Sequence, residues 1–136
     1  METQNTTGKT KDQGWEIGVR RTFAVDATRA WEVMMTQPGL GYWFGDDPDV
    51  RFKKDAQFAT SEGIVGHVVS IEDGKLLRLR WQPRGWDEAS TLQLRFIAAN
   101  DKTTISIHHE RLMDAAQREA MKKHWSGVLE SLSDLF

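Results

Sequence analysis

The sequence has 136 residues, the length of one ordinary domain. Its hydrophobic fraction of 39% and charged fraction of 28% are typical of a globular chain, and a formal net charge of −2 gives no general attraction to nucleic acid or acidic membranes. The absence of cysteine excludes disulfides, thiolate metal sites and a cysteine nucleophile. No apolar run is long enough to span a membrane. We therefore expect a cytoplasmic protein with neither a nucleic-acid nor a membrane partner.

Residues 1–14 show no apolar periodicity, so we predict a disordered tail there and a single domain over residues 15–136. From Trp15 onward the pattern alternates, which predicts a strand with one buried face. The parity of this strand places Arg21 on the inward face beside Phe23. Asp26 then begins a short helix that ends before Pro38.

The middle of the chain predicts a second short helix or turn, an edge strand and two hairpins. The aromatic segment around Trp43 carries the helix or turn, and residues 50–59 form the edge strand. A two-residue turn at residues 73–74 predicts these pairs: Glu72 with Lys75, Val68 with Leu79, and Gly66 with Trp81. A turn at residues 100–101 predicts three more: Phe96 with Ile105, Leu94 with Ile107, and Leu92 with His109. Both registers bring apolar side chains to one face of the sheet.

Residues 114–136 predict a long amphipathic helix. Apolar residues repeat at helical spacing and line one face: Met121, Trp125, Val128, Leu132 and Leu135. Asp114 is placed as the N-cap, and Gln117 occupies the position of a capping-box partner. The element order predicts an α+β domain in which a curved antiparallel sheet of about six strands wraps around this C-terminal helix, with two short helices after the first strand.

Several segments carry a family resemblance when they are read in order. They are RRTFAVDA at residues 20–27, AWEV at 30–33, GYWFG at 41–45, GIVG at 63–66, LRW at 79–81, TISIHHERL at 104–112 and HWSGVL at 124–129. In these segments the chain resembles the START-like (SRPBCC, Bet v 1-type) superfamily, and within it proteins related to the C-terminal domain of the heat-shock-chaperone ATPase activator. The resemblance implies a helix-grip fold with a cavity between the sheet and the long helix. Members often carry glycine directly before the helix tryptophan, where this chain has His124, so we expect close helix–sheet contact to shift to Gly127.

The candidate ligand-binding residues are those expected to line this cavity: Arg21, Trp43, Trp81, Trp86, Phe96, His109, Met121 and Trp125. His109 is either a hydrogen-bonded core histidine or a polar contact for a ligand. A buried guanidinium needs an acceptor, so Arg21 either pairs with a carboxylate or marks the place of an anionic or oxygen-rich ligand.

The sequence predicts no metal and no cofactor. His108 and His109 are neighbours on a strand and point to opposite faces, so they cannot chelate one ion together. The acidic loop at residues 46–49 lacks the glutamate that closes an EF-hand. No catalytic residue is assigned from the sequence.

The predicted function is the binding of a hydrophobic or amphipathic small molecule in the cavity. One alternative is a protein-binding regulator of the chaperone-activator type, which would use external charges such as Arg78 and Arg80. A second alternative is a cyclase-like or dehydratase-like enzyme, in which His109 and Arg21 would guide a cyclisation or a proton transfer in the same cavity. The sequence leaves all three open.

Overall fold

The computed structural model describes residues 9–10, 14–47 and 50–136. The strands are β1 (Lys9–Thr10), β2 (Gly14–Phe23), β3 (Gln57–Ala59), β4 (Val65–Glu72), β5 (Leu76–Gln82), β6 (Ser90–Ala99) and β7 (Lys102–Leu112). The helices are α1 (Ala27–Met35), α2 (Gly39–Trp43) and α3 (Ala115–Leu132), and a 3-10 turn at Ser133–Leu135 follows α3. The strands form one antiparallel sheet in the order β1-β2-β7-β6-β5-β4-β3.

The predicted α+β helix-grip fold is confirmed. Six strands have three or more residues, which agrees with the predicted number, and β1 adds a seventh of only two residues. β1 falls inside the predicted disordered tail and pairs with the beginning of β2. Residues 1–8 and 11–13 of that tail lie outside the described residues.

Both predicted hairpins form, and one turn differs from the prediction. The β6–β7 pairs are those expected: Phe96 with Ile105, Leu94 with Ile107, and Leu92 with His109. In β4–β5, Gly66 pairs with Trp81 as expected, whereas Glu72 pairs with Leu76 instead of Lys75. The loop here has three residues and includes Gly74 at a φ of 77°. A bulge in β4 compensates for the extra residue, so the predicted pairing farther along the strands is kept.

α3 begins and packs largely as predicted. The Asp114 side chain accepts a hydrogen bond from the Gln117 N–H at 2.7 Å. The Gln117 side chain in turn accepts from the Met113 N–H at 2.8 Å, one residue earlier than in a capping box. α3 lies against β2, β7 and α2. Its buried residues are Trp125, Val128, Leu129 and Leu132, and each large apolar side chain that is fully buried contributes roughly 1.5–3 kcal/mol.

Two local predictions are wrong. The edge strand expected over residues 50–59 is confined to β3, because the chain before it turns and Asp55 takes a φ of 69°, which ends extended pairing. Val50 and Phe52 still pack against the core from this turn. The close helix–sheet contact expected at Gly127 is also absent, since a Cβ built on Gly127 would meet no atom within 4 Å.

Candidate ligand-binding site

An open pocket of about 280 Å³ lies where α2, the end of β5 and α3 meet. Five aromatic residues line it: Tyr42, Trp43, Phe44, Trp81 and Trp86. We call this cavity the aromatic pocket. The rings come from α2 and the residue after it, from the end of β5, and from the loop that joins β5 to β6. Met121 and His124 extend from α3 to complete one side.

Hydrogen bonds and ring contacts fix α2 at the rim of the pocket. The Trp43 indole Nε1–H donates to the carbonyl of Met34 at 2.7 Å, which ties α2 to α1. The Phe44 backbone N–H donates to the carbonyl of Leu40 at 2.8 Å and closes the helix. The Phe44 ring meets Phe58 edge to face, with centroids 4.9 Å apart. The aromatic segment recognised in the sequence therefore forms a rigid wall.

Trp81 forms the inner wall through its place in the sheet. Its β4 partner is Gly66, where an added Cβ would lie 1.9 Å from the Arg80 carbonyl oxygen and 2.7 Å from the Phe58 ring. Only glycine allows this close approach. The Trp81 ring meets Trp86 edge to face at 5.8 Å. The Trp81 indole nitrogen is buried and has no hydrogen-bond partner within the described part of the chain.

Behind Trp81 lies a chain of buried hydrogen bonds that we call the indole–imidazole relay, made of Trp125, His109 and Ser90. The Trp125 Nε1–H donates to His109 Nδ1 at 3.0 Å. The Ser90 hydroxyl donates to the Trp81 carbonyl at 2.6 Å, so the 2.7 Å contact between His109 Nε2 and Ser90 Oγ requires Nε2 to carry the proton. All three side chains are fully buried. The relay thus matches each donor with one acceptor.

The relay holds His109 as a neutral imidazole. The pKa of His109 is lowered to about 3, mainly by burial and to a smaller extent by the neighbouring His124 and His108. Both ring nitrogens are occupied by protein atoms, which leaves neither of them for a ligand or for proton transfer. The geometry therefore favours the interpretation of His109 as a hydrogen-bonded core histidine.

The structure brings together only some of the predicted cavity residues. Trp43, Trp81, Trp86 and Met121 line the aromatic pocket. His109 and Trp125 lie one layer deeper, with ring centroids 5.2 and 5.5 Å from that of Trp81.

Phe96 and Arg21 lie elsewhere. Phe96 is buried against Trp31 of α1 at a centroid distance of 5.1 Å. Arg21 lies on the inward face, opposite the buried Ile105 of β7, but the interpretation of Arg21 as a buried group is wrong, because the side chain is exposed. Its guanidinium carbon lies 5.9 Å from the Phe23 ring centroid. A long stem allows the charged group to stay in water, which avoids the desolvation cost of an unpaired guanidinium.

Glu62 and His124 belong to the pocket but were not predicted to do so. The pKa of Glu62 is lowered, first by its own backbone N–H and then by the Asp46 backbone and the hydroxyls of Thr60 and Ser61. Burial lowers the pKa of His124, so its ring is neutral near pH 7. Glu62 is accordingly the one charged side chain among the described residues that line the pocket.

One cluster on the outer face of the sheet has the residue types of a metal site. Glu16, His108 and Glu110 offer ligand atoms within 4.8 Å of one another. However, His108 Nδ1 lies 2.9 Å from a Glu110 oxygen, whereas Nε2 lies 3.5 Å from a Glu16 oxygen. The two carboxylates face opposite nitrogens, which suits hydrogen bonding to the ring better than joint coordination of one ion. The prediction that the chain binds no metal stays a prediction.

A curved antiparallel sheet that grips a long C-terminal helix defines the START-like (SRPBCC) class of proteins. Within that class, the model of the family "Activator of Hsp90 ATPase homolog 1-like protein" matches residues 24–136, and the chain belongs to this family. None of the helices in the described ranges is long and apolar enough to cross a membrane.

Solved structures share the fold at low sequence identity. CalU16 from Micromonospora echinospora has a TM-score of 0.73 and 20% identity, covering 86% of this chain and 73% of its own. PFC0360w, an HSP90 activator from Plasmodium falciparum, has a TM-score of 0.74 and 19% identity, and the match covers 88% of this chain and 94% of PFC0360w. The Aha1 dimer from Colwellia psychrerythraea has a TM-score of 0.70 and 14% identity, and the match covers 88% of this chain and 93% of the Aha1 chain. No curated protein matches the sequence. These likenesses establish the fold.

Proposed function

We propose that the protein binds a small hydrophobic or amphipathic molecule in the aromatic pocket. The observation that carries this proposal is the unfilled volume of about 280 Å³ among aromatic rings. Concave pockets lined by aromatic and apolar side chains with a few polar groups are the usual sites of small-molecule binding, which supports the proposal. The volume lies just below the usual range of ligand pockets, roughly 300–1,000 Å³, and favours a compact ligand. The expected cytoplasmic location remains part of this proposal.

The chemistry of the pocket supports binding over catalysis. General acid–base catalysis needs a group whose pKa lies near the working pH. The lowered pKa of Glu62 keeps it ionised, and the lowered pKa of His124 keeps it neutral. His109 is occupied by the relay, and Arg21 is exposed outside the pocket. The two residues considered for a cyclase-like or dehydratase-like reaction are therefore not presented to a ligand.

The test uses tert-butylbenzene, a compact neutral probe, and follows binding by tryptophan fluorescence and ligand-observed NMR. We expect saturable binding to the wild type, and a loss of about tenfold or more in affinity for Trp86→Ala, because Trp86 is half-buried and forms one wall. Trp31→Ala is the matched control, since Trp31 is also a half-buried indole but packs on Phe96 instead. Equal losses in both variants would contradict the proposal, as would a wild type that binds neither this probe nor a charged probe of the same shape.

A second candidate function is regulation of a chaperone ATPase through an external surface. The observation that favours it is the family match, because the family is named for an activator of the Hsp90 ATPase. Arg78 and Arg80 lie on the outer sheet face, where Arg78 approaches Glu110 at 3.8 Å and Arg80 donates to Thr91 at 2.9 Å. Stimulation of an Hsp90-type ATPase by the wild type, weakened in Arg78→Ala and Arg80→Ala, would support this function. No stimulation at saturating protein would exclude it.

A further inference from the structure

We propose that the ligand of the aromatic pocket is a small organic cation, an ammonium group that carries apolar substituents. This inference rests on the proposed function, because it specifies the chemical class that the same pocket binds. Three features of the pocket carry it: the aromatic rings, a carboxylate that is held in place at the wall, and the absence of any positive charge among the described lining residues.

The aromatic rings that line the pocket have negatively polarised faces. Three of the five lining aromatic residues are tryptophans, Trp43, Trp81 and Trp86, and the indole face attracts cations more strongly than the other aromatic side chains do. Tyr42 and Phe44 add two further rings from α2 and the residue after it. A cation that loses water in such a site recovers part of its hydration energy from the ring faces. A neutral apolar ligand gains only from its burial.

The carboxylate of Glu62 lies at the edge of the pocket, and its side chain is exposed to solvent. Backbone N–H groups and the hydroxyls of Thr60 and Ser61 lower its pKa, and the Ser61 hydroxyl lies 3.3 Å from Oε2. Gly45 has a φ of 113°, and a Cβ built on it would lie 2.6 Å from the same oxygen. The glycine therefore leaves the space that the carboxylate occupies. An anion held in place before binding does not have to be ordered when a cation arrives.

No ion pair within the described ranges neutralises this carboxylate. Glu62 forms no ion pair with any lysine, arginine or histidine of the described ranges. Arg84 lies against Gly63, one residue away, without pairing with Glu62. A carboxylate-bearing ligand would meet both Glu62 and the ring faces with the wrong sign.

The experiment compares trimethylphenylammonium with tert-butylbenzene. The two probes have the same shape and differ in one atom, a charged nitrogen in place of a carbon. We expect trimethylphenylammonium to bind the wild type more tightly, although it is the more strongly hydrated probe. We expect Glu62→Gln to weaken its binding about three- to fivefold, the size of one solvent-exposed charge interaction, and to weaken tert-butylbenzene binding clearly less. Glu32→Gln is the control, because Glu32 is an exposed carboxylate on α1 outside the pocket.

Three outcomes separate this inference from the proposed function. Tighter binding of the cation, reduced by Glu62→Gln and not by Glu32→Gln, supports both. If tert-butylbenzene binds as tightly as the cation or more so, or if Glu62→Gln changes both affinities equally, the cation inference is overturned while the pocket remains a binding site. If neither probe binds, both proposals are overturned. If the pocket prefers cations, benzenesulfonate, an anion of similar size, should not bind.

Discussion

The aromatic pocket and the indole–imidazole relay are built from similar side chains and lie in contact, yet they differ in two respects. In the relay, the Trp125 N–H has an acceptor and the surrounding side chains are fully buried. In the pocket, the buried Trp81 N–H has none in the described part of the chain, and a volume of about 280 Å³ is unfilled. Residue type alone does not separate core from site. The two regions are separated by whether each buried donor has an acceptor and by whether side chains fill the space.

The largest expected effect lies in the relay. Trp125→Ala removes a fully buried indole and leaves His109 Nδ1 without its donor. Truncation of a core aromatic residue costs about 3–5 kcal/mol of unfolding free energy, and the unpaired nitrogen increases that loss. Urea denaturation measures it. A loss below about 1 kcal/mol would show that the relay is not part of the core, and the contrast with the pocket would disappear.

The relay should also make stability depend on pH. Burial lowers the pKa of His109 from its usual 6.5 to about 3, so the unfolded chain takes up a proton that the folded chain does not. This contribution is fully present above pH 6.5 and is lost as the pH falls toward 3. Between pH 7 and 4.5 we expect His109 to account for about 2–3 kcal/mol of lost stability.

Matched histidine variants isolate this contribution in urea titrations at several pH values. His109→Gln should flatten the decline between pH 7 and 4.5. His67→Gln should leave the decline unchanged, because His67 is exposed on β4. Equal slopes in the wild type and His109→Gln would contradict a neutral, buried His109.

A smaller effect should separate the two indole N–H groups directly. Trp125→Phe and Trp81→Phe both replace a buried indole with a phenyl ring, but only Trp125→Phe breaks a hydrogen bond. We expect Trp125→Phe to be the more destabilising by about 1–3 kcal/mol, which is the cost of an unsatisfied buried polar group. Unfolding free energies of the two variants, measured side by side, test this. Equal losses would mean that Trp81 has a partner as good as His109.

The sequence predicted the strands and turns whose residues follow a regular pattern. It missed the features that depend on which parts of the sheet are covered by other elements. Alternation and short turns fixed the pairs of Gly66 with Trp81 and of Leu92 with His109. Strand parity placed Arg21 on the inward face, but parity does not say how far α3 covers that face, and Arg21 is exposed. The register of a strand follows from local periodicity, whereas the burial of one side chain depends on distant packing.

The same limit applies to the pocket. The sequence grouped Trp43 and Trp81 with Trp86, and the three line one pocket in the structure, because an aromatic segment and a strand end are recognisable signals. It missed Glu62, which lies in an irregular turn before β4 where no periodicity exists. It also placed His109 among the lining residues, since a pattern of apolar neighbours cannot show that both ring nitrogens are already bonded.

The most direct test of the central claim, that the aromatic pocket is an unfilled binding site, is the substitution Met121→Trp. Met121 is half-buried on α3 and lines the pocket, so an indole there should occupy the empty volume. We predict an unfolding free energy within about 0.5 kcal/mol of the wild type, together with complete loss of tert-butylbenzene binding. A loss of about 1–3 kcal/mol, as expected for an overpacked core, with no probe bound by the wild type, would show that the pocket is closed and would contradict the account.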